Sequence, residues 1–110
     1  MARTPKKLAL LQIASTDLTT IYTAPTSFSA TYSVLTLTNL SATPLSVDLY
    51  DNDGSADFLI DVVAVPGGIG RDVTVYSFQR TTSNPGDSLK VQANGDTAFN
   101  VSLSGSEASI

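Results

Sequence analysis

Apolar and polar residues alternate along most of the chain in short segments, and turn-forming residues separate one segment from the next. Strict alternation assigns successive side chains to opposite faces of an extended strand, whereas an amphipathic helix repeats its apolar residues every three to four positions. No stretch of the chain sustains the helical spacing. From Asp17 onward the pattern predicts roughly seven or eight short strands with a turn signal about every 8–12 residues, which is typical of an antiparallel sandwich or barrel.

The composition agrees with a single β-rich domain. The 110 residues suit one hydrophobic core, and 42% of them are apolar while 15% are charged. Hydroxyl groups replace charges, because 14 Thr and 14 Ser occupy 28 of the 110 positions; Thr favours strands and Ser suits turns. We therefore predict an all-β fold, a single antiparallel β-sandwich. Its strand order could be jelly-roll or immunoglobulin-like, since alternation does not distinguish the two.

Several segments give specific expectations. Residues 18–23 are predicted to form a strand. Residues 45–51 are predicted to form another, with Leu45, Val47 and Leu49 facing the core. The alternation slips by one position near residues 33–35, which predicts a bulge or two strands meeting there. Residues 59–65 are almost continuously apolar, so they form either an edge segment or a strand buried on both sides.

The last two alternating segments are predicted to pair as a hairpin. A three-residue loop of Asn94, Gly95 and Asp96 would place Val91 opposite Phe99 on one apolar face, whereas a two-residue loop would place an amide there.

The N-terminus is treated as a separate region, residues 1–17, before a sandwich domain of residues 18–110. It is either a first strand or an arm that lies on a partner subunit, because its basic and apolar residues suit an acidic neighbour such as a second copy. A secretory signal is not expected, since Gln12 interrupts the short apolar run. The residues assigned to partner binding are Lys6, Lys7, Leu8, Leu10, Leu11 and Ile13.

The residue types that are missing exclude several kinds of chemistry. The chain has no His, Cys or Trp, so it has no disulfide, no Cys–His zinc site and no Ser-His-Asp or Cys-His catalytic site. Its net charge of −4 opposes binding to nucleic acid or anionic membranes, and no apolar run approaches the ~20 residues that span a bilayer. We expect neither enzymatic activity nor a cofactor.

Two short motifs have an ordinary structural interpretation. Residues 86–89 spell the GDSL signature of an esterase superfamily, but the His that its Ser requires is absent, so we predict a turn leading into a strand. Residues 51–57 carry three carboxylates and a Gly, as calcium loops do, yet the bidentate Glu of an EF-hand would fall at Val62. We expect a solvated loop whose Asp and Asn side chains satisfy the turn backbone, without a metal; a calcium site of another loop type is the alternative.

The two glycosylation sequons and the four tyrosines also have an ordinary structural interpretation. The sequons at Asn39 and Asn100 are expected by chance in a chain so rich in hydroxyls. The four tyrosines are expected mostly at the sheet rims with their hydroxyls in water, where they could also anchor an interface.

Three segments resemble small structural proteins of tailed bacteriophages. Residues 19–25 (TTIYTAP), 35–41 (LTLTNLS) and 45–50 (LSVDLY) follow the patterns T-x-I-Y-T-x-P, I-T-x-x-N-x-S and V-x-L-Y, and residues 65–68, 86–93 and 101–105 fit the same order. The resemblance covers about residues 18–107. The acidic loop of residues 51–57 and the basic N-terminus depart from these patterns, so the resemblance implies nothing about those two segments.

The resemblance implies a β-sandwich component of the virion, assembled in the host cytoplasm. We expect a capsid decoration or other peripheral head protein that acts through contacts with other virion proteins and forms a homo-oligomer. The alternatives are a neck or tail accessory protein and a carbohydrate-binding module of a host-recognition fibre; the lack of Trp disfavours the second.

Overall fold

The computed structural model describes residues 3–67, 73–78, 82–95 and 98–109, and their regular structure consists of strands. The strands are β1 (Arg3–Ile13), β2 (Thr19–Thr23), β3 (Phe28–Asn39), β4 (Leu45–Asn52), β5 (Asp57–Val65), β6 (Val73–Ser77), β7 (Thr82–Ser83), β8 (Ser88–Ala93) and β9 (Phe99–Ser109). The expected all-β class is confirmed.

The strands form two antiparallel sheets. Sheet A has the order β1-β9-β3-β6, with β7 also paired to β3, and sheet B has the order β2-β8-β4-β5. Because the chain repeatedly crosses between the sheets, β4 and β5 are the consecutive described strands that pair as a hairpin. The two sheets share one core, as a β-sandwich requires.

The core is built from alternate residues of the central strands. In β4, Leu45, Val47 and Leu49 are buried while the residues between them are partly exposed, which confirms the expected orientation. Sheet A contributes inward rows from β3 and β9, and sheet B contributes a row from β8. The largest fully buried apolar side chains are Tyr32, Phe99, Leu35, Leu37, Leu49, Leu89, Leu103, Val47, Val65, Val91 and Val101.

The predicted irregularity in the third strand is confirmed as a bulge. Tyr32 lies opposite Gly105 and Val34 lies opposite Ser104, so Ser33 is an extra residue in β3. A Cβ on Gly105 would lie 2.2 Å from the carbonyl oxygen of Thr31. The bulge keeps Tyr32 and Leu35 facing the core although the number of residues between them is even.

The predicted C-terminal hairpin is wrong. β8 lies between β2 and β4 in sheet B, whereas β9 lies between β1 and β3 in sheet A. Val91 and Phe99 both enter the common core, but from different sheets. Alternation reports only that one face of each strand is buried, so strands on opposite sides of a core have the same pattern as paired strands. Asp96, in the predicted loop, lies outside the described residues.

The N-terminal segment is a first strand of the sandwich. β1 pairs with β9 of its own chain from Arg3 to Ile13, with one bulge near Leu8. Ile13 is buried in the core, and Leu8 and Leu11 pack against it. The hypothesis of an arm lying on a partner subunit is therefore corrected for these residues, because their apolar side chains are covered by the chain itself.

Phe99→Ala is expected to lower the free energy of unfolding by about 3–5 kcal/mol, because Phe99 is fully buried and its loss leaves a cavity. Asn100→Ala on the exposed face of the same strand should change it by no more than about 0.5 kcal/mol. Urea unfolding of both variants measures the difference, and equal losses would contradict the assigned orientation of β9.

Candidate interaction surfaces

The acidic loop is held by its own side chains. Its outer residues belong to strands, since Asp51 and Asn52 end β4 and Asp57 begins β5. The Asp53 Oδ1 atom accepts hydrogen bonds from the Ser55 and Ala56 backbone N–H groups at 3.0 and 2.9 Å. These bonds hold the pKa of Asp53 below its ordinary value. The carboxylate thus satisfies turn backbone, as expected.

The remaining carboxylate contacts of this region bind it to sheet B. The Asp57 Oδ1 atom accepts from Asn52 Nδ2 at 2.7 Å and lies 3.0 Å from Lys90 Nζ, and these contacts lower its pKa. Burial and the neighbouring carboxylates of Asp87 and Asp53 instead raise the pKa of Asp51. Among the described residues, no three acidic side chains come together as a metal-binding group.

The GDSL motif forms a turn and the start of a strand. The Asn84 N–H donates to the Asp87 carboxylate, and the Asp87 N–H donates back to the Asn84 carbonyl. Gly86 has a φ of 88°, which glycine adopts without strain. Ser88 is a buried residue of β8. Asp87 and Gly86 therefore form the turn, and Ser88 begins the strand that follows it.

The Asn39 sequon is also structural. The Asn39 side chain is fully buried. Its Nδ2 donates to the Thr43 carbonyl at 2.7 Å, and its Oδ1 accepts from the Ser41 N–H at 3.0 Å. A Cβ on Gly67 would lie 2.3 Å from the carbonyl oxygen of Ala42, so a second segment packs closely against the same turn. Asn100, in contrast, is exposed on β9.

The residues assigned to partner binding separate into covered and exposed groups. Ile13 is in the core, and Leu8 and Leu11 are partly buried against it. Leu10 is 66% exposed, and Lys7 is exposed. The structure therefore brings only Lys7, Leu10 and the half-exposed Lys6 to the surface.

A polar link joins the two sheets at the β1–β2 edge. Lys6 Nζ on β1 lies 2.9 Å from Glu107 Oε1 on β9, and the Tyr22 hydroxyl on β2 donates to Glu107 Oε2. The Glu107 side chain is only 11% exposed. Both contacts hold its pKa below the ordinary 4.5, and burial with the nearby carboxylate raises the pKa of Tyr22.

Aromatic rings continue from this link across the interior. Tyr32 packs edge-on against Tyr22 with ring centroids 5.9 Å apart, and its ring lies tilted against that of Phe78 with centroids 5.4 Å apart. Burial raises the pKa of Tyr32 to about 12, and its hydroxyl is hydrogen-bonded to Ser83. The expectation that most tyrosine hydroxyls lie in water is thus wrong for Tyr22 and Tyr32, because the bulky rings fill the core and their hydroxyls find partners there.

Exposed apolar side chains concentrate at the opposite edge. Phe58, Leu59, Ile60 and Val62 lie on β5, the edge strand of sheet B, and Val73 and Val75 lie on β6, the edge strand of sheet A. The Thr74 hydroxyl donates to the Ala64 carbonyl across this edge, so the strands are neighbours. We call these six residues the β5–β6 rim. Of the two interpretations of residues 59–65, the edge segment is confirmed, because β5 is the last strand of sheet B.

The described residues enclose no ligand-sized pocket and form no helix that could span a membrane. A comparison with sequence models of known protein families finds no match, and a comparison with curated protein sequences finds none either.

Glu107→Gln is expected to destabilise the protein at neutral pH, with a difference from the wild type that shrinks as the pH falls below 4.5. A carboxylate whose pKa is lowered by folding stabilises the native state above its unfolded-state pKa, and this contribution is lost as the pH falls through the folded value. Thermal unfolding from neutral to acidic pH measures the effect. Tyr22→Phe should give a smaller loss in the same range, and a difference independent of pH would contradict the link.

Neither EDTA nor millimolar calcium is expected to change the melting temperature, because the Asp53 and Asp57 carboxylates are engaged by internal hydrogen bonds. Differential scanning fluorimetry with and without calcium measures this. A calcium-dependent stabilisation that disappears in Asp53→Asn would establish a calcium site instead.

Proposed function

We propose that this chain is a non-enzymatic structural protein of a tailed-bacteriophage virion, and specifically a capsid decoration or other peripheral head protein. The observation that carries the proposal is the nested strand pairing: β1 pairs with β9, β2 with β8, β3 with β6 and β4 with β5. This order supports a jelly-roll strand arrangement. Viral capsid domains are among the proteins built on that arrangement.

The outer face of sheet A supports a role in repeated protein contacts. The cross-strand register places Leu10, Ser102, Thr36 and Val75 in one row. The adjacent row contains Gln12, Asn100, Thr38 and Val73. Neither row carries a charge, although the chain has sixteen charged residues, and depletion of charge is typical of the centre of protein interfaces.

The absence of a pocket among the described residues is compatible with a protein that acts through its surfaces. Jelly-roll domains also occur in lectins, so a carbohydrate-binding module shares the strand order. A glycan site normally combines concavity with convergent polar groups. The two rows lack aromatic side chains, which favours the structural role.

The copy number of the chain in purified particles tests this proposal. Quantitative mass spectrometry of intact virions should give a value close to that of the major capsid protein, because a decoration protein follows the symmetry of the shell. A copy number matching a single ring would assign it to the neck or tail instead. Absence from particles would contradict the virion role. Specific retention of the purified chain on a glycan array would contradict the structural head role and favour a carbohydrate-binding module of a fibre.

A further inference from the structure

We propose that the β5–β6 rim binds a second copy of this chain, with the β5 strands of the two copies pairing edge to edge about a two-fold axis. This surface lies away from the N-terminal segment to which the sequence assigned partner binding. The inference goes beyond the virion role and does not depend on it, because association of the purified chain requires no other virion protein.

The clustering of apolar side chains is the first observation. Of the ten large apolar side chains exposed among the described residues, six belong to the rim, with exposures between 40% and 61%. The other four, Leu10, Leu18, Phe28 and Leu40, are scattered over different segments. Six such side chains at about half exposure together present roughly 500 Å² of apolar surface along this edge, and exposed apolar surface of that extent is characteristic of interaction sites.

The unpaired backbone of β5 is the second observation. β5 pairs with β4 on one side and is the last strand of sheet B on the other. Its second half is protected, since the Val62 N–H donates to Asp61 Oδ1 at 2.7 Å and the Ala64 carbonyl accepts from Thr74. In the described part of the chain, no strand pairs with the first half of β5 on the side away from β4. The first half of β5 is therefore open to another strand, and strand addition is how an open edge becomes satisfied.

The opposite edge of the sandwich, at β1, carries residues that block pairing with another strand. β1 carries Pro5, Lys6 and Lys7, and proline and lysine are common blocks to edge pairing. β5 contains neither residue type within Asp57–Val65. The two edges of the same sandwich thus differ in the features that prevent association.

A second copy fits the rim better than a charged partner would. Apolar side chains and an open antiparallel edge are self-complementary, which a two-fold interface requires. The carboxylate at the start of β5 is compensated, because Asp57 lies 3.0 Å from Lys90. Two copies can therefore approach there without an unpaired Asp57 charge, although each chain carries −4. The patch area is also most of the ~800 Å² that each partner buries in a standard interface.

Sedimentation equilibrium of the full-length purified chain tests the proposal. The wild type is expected to pass from 11.5 kDa to twice that mass as its concentration rises. Leu59→Lys and Val62→Lys should each raise the dissociation constant at least about tenfold, because each places a charge among the apolar side chains of the rim. Both side chains are more than half exposed, so thermal unfolding should show that the variants remain folded.

Leu10→Lys is the matched control, since it introduces the same charge at a 66% exposed leucine on β1 and should leave the dimer unchanged. A monomeric wild type at every concentration, a dimer unaffected by both rim variants, or equal dissociation by Leu10→Lys would overturn the proposal. The two proposals can fail separately. If the chain is absent from virions but forms a dimer that the rim variants weaken, the virion role is rejected and this interface stands.

Discussion

Burial of the β9 side chains between the two sheets is the constraint on which the rest of the structure depends. Phe99, Val101 and Leu103 are fully buried, and β9 is hydrogen-bonded to β1 on one side and β3 on the other. β9 is thus an interior strand whose inward face completes the core opposite sheet B. Its register positions Gly105 beneath the β3 bulge and Glu107 beside Tyr22. A change in this strand would therefore disturb both the core and the link between the sheets.

Local features of the fold were predictable from the sequence because they depend on neighbouring residues. The facing of Leu45, Val47 and Leu49 follows from alternation, and the bulge at Ser33 follows from a slip in that alternation. Strand pairing was not predictable in the same way. A buried face at Val91 and another at Phe99 are compatible with pairing or with stacking across a core, and only the tertiary arrangement distinguishes them.

The interaction surfaces were less predictable than the fold. The basic and apolar residues of the N-terminus predict a partner-binding segment, whereas in the structure Ile13 lies in the core and Lys6 pairs with Glu107. The apolar run at residues 59–65 had two interpretations because its pattern does not show whether a neighbouring strand covers it. Its position as the last strand of sheet B leaves it uncovered. The lone glutamate in the chain gave no sequence signal, since its partners lie far away in sequence.

The two edges of the sandwich differ in how they treat the unpaired backbone groups of an edge strand. At the β1–β2 edge, lysines and a Tyr–Glu–Lys link satisfy polar groups and discourage strand addition. At the β5–β6 edge, an open strand and apolar side chains favour it. In the proposed two-fold dimer each copy uses its own open β5 edge, so no third copy can pair there and growth ends at two copies. In the proposed dimer Val73 and Val75, at the β6 edge of sheet A, are covered. The part of the outer face of sheet A that runs from Leu10 to Thr36 stays outside the contact and can lie on a different protein. A peripheral component of a shell needs this separation, since self-association must not compete with attachment to the lattice.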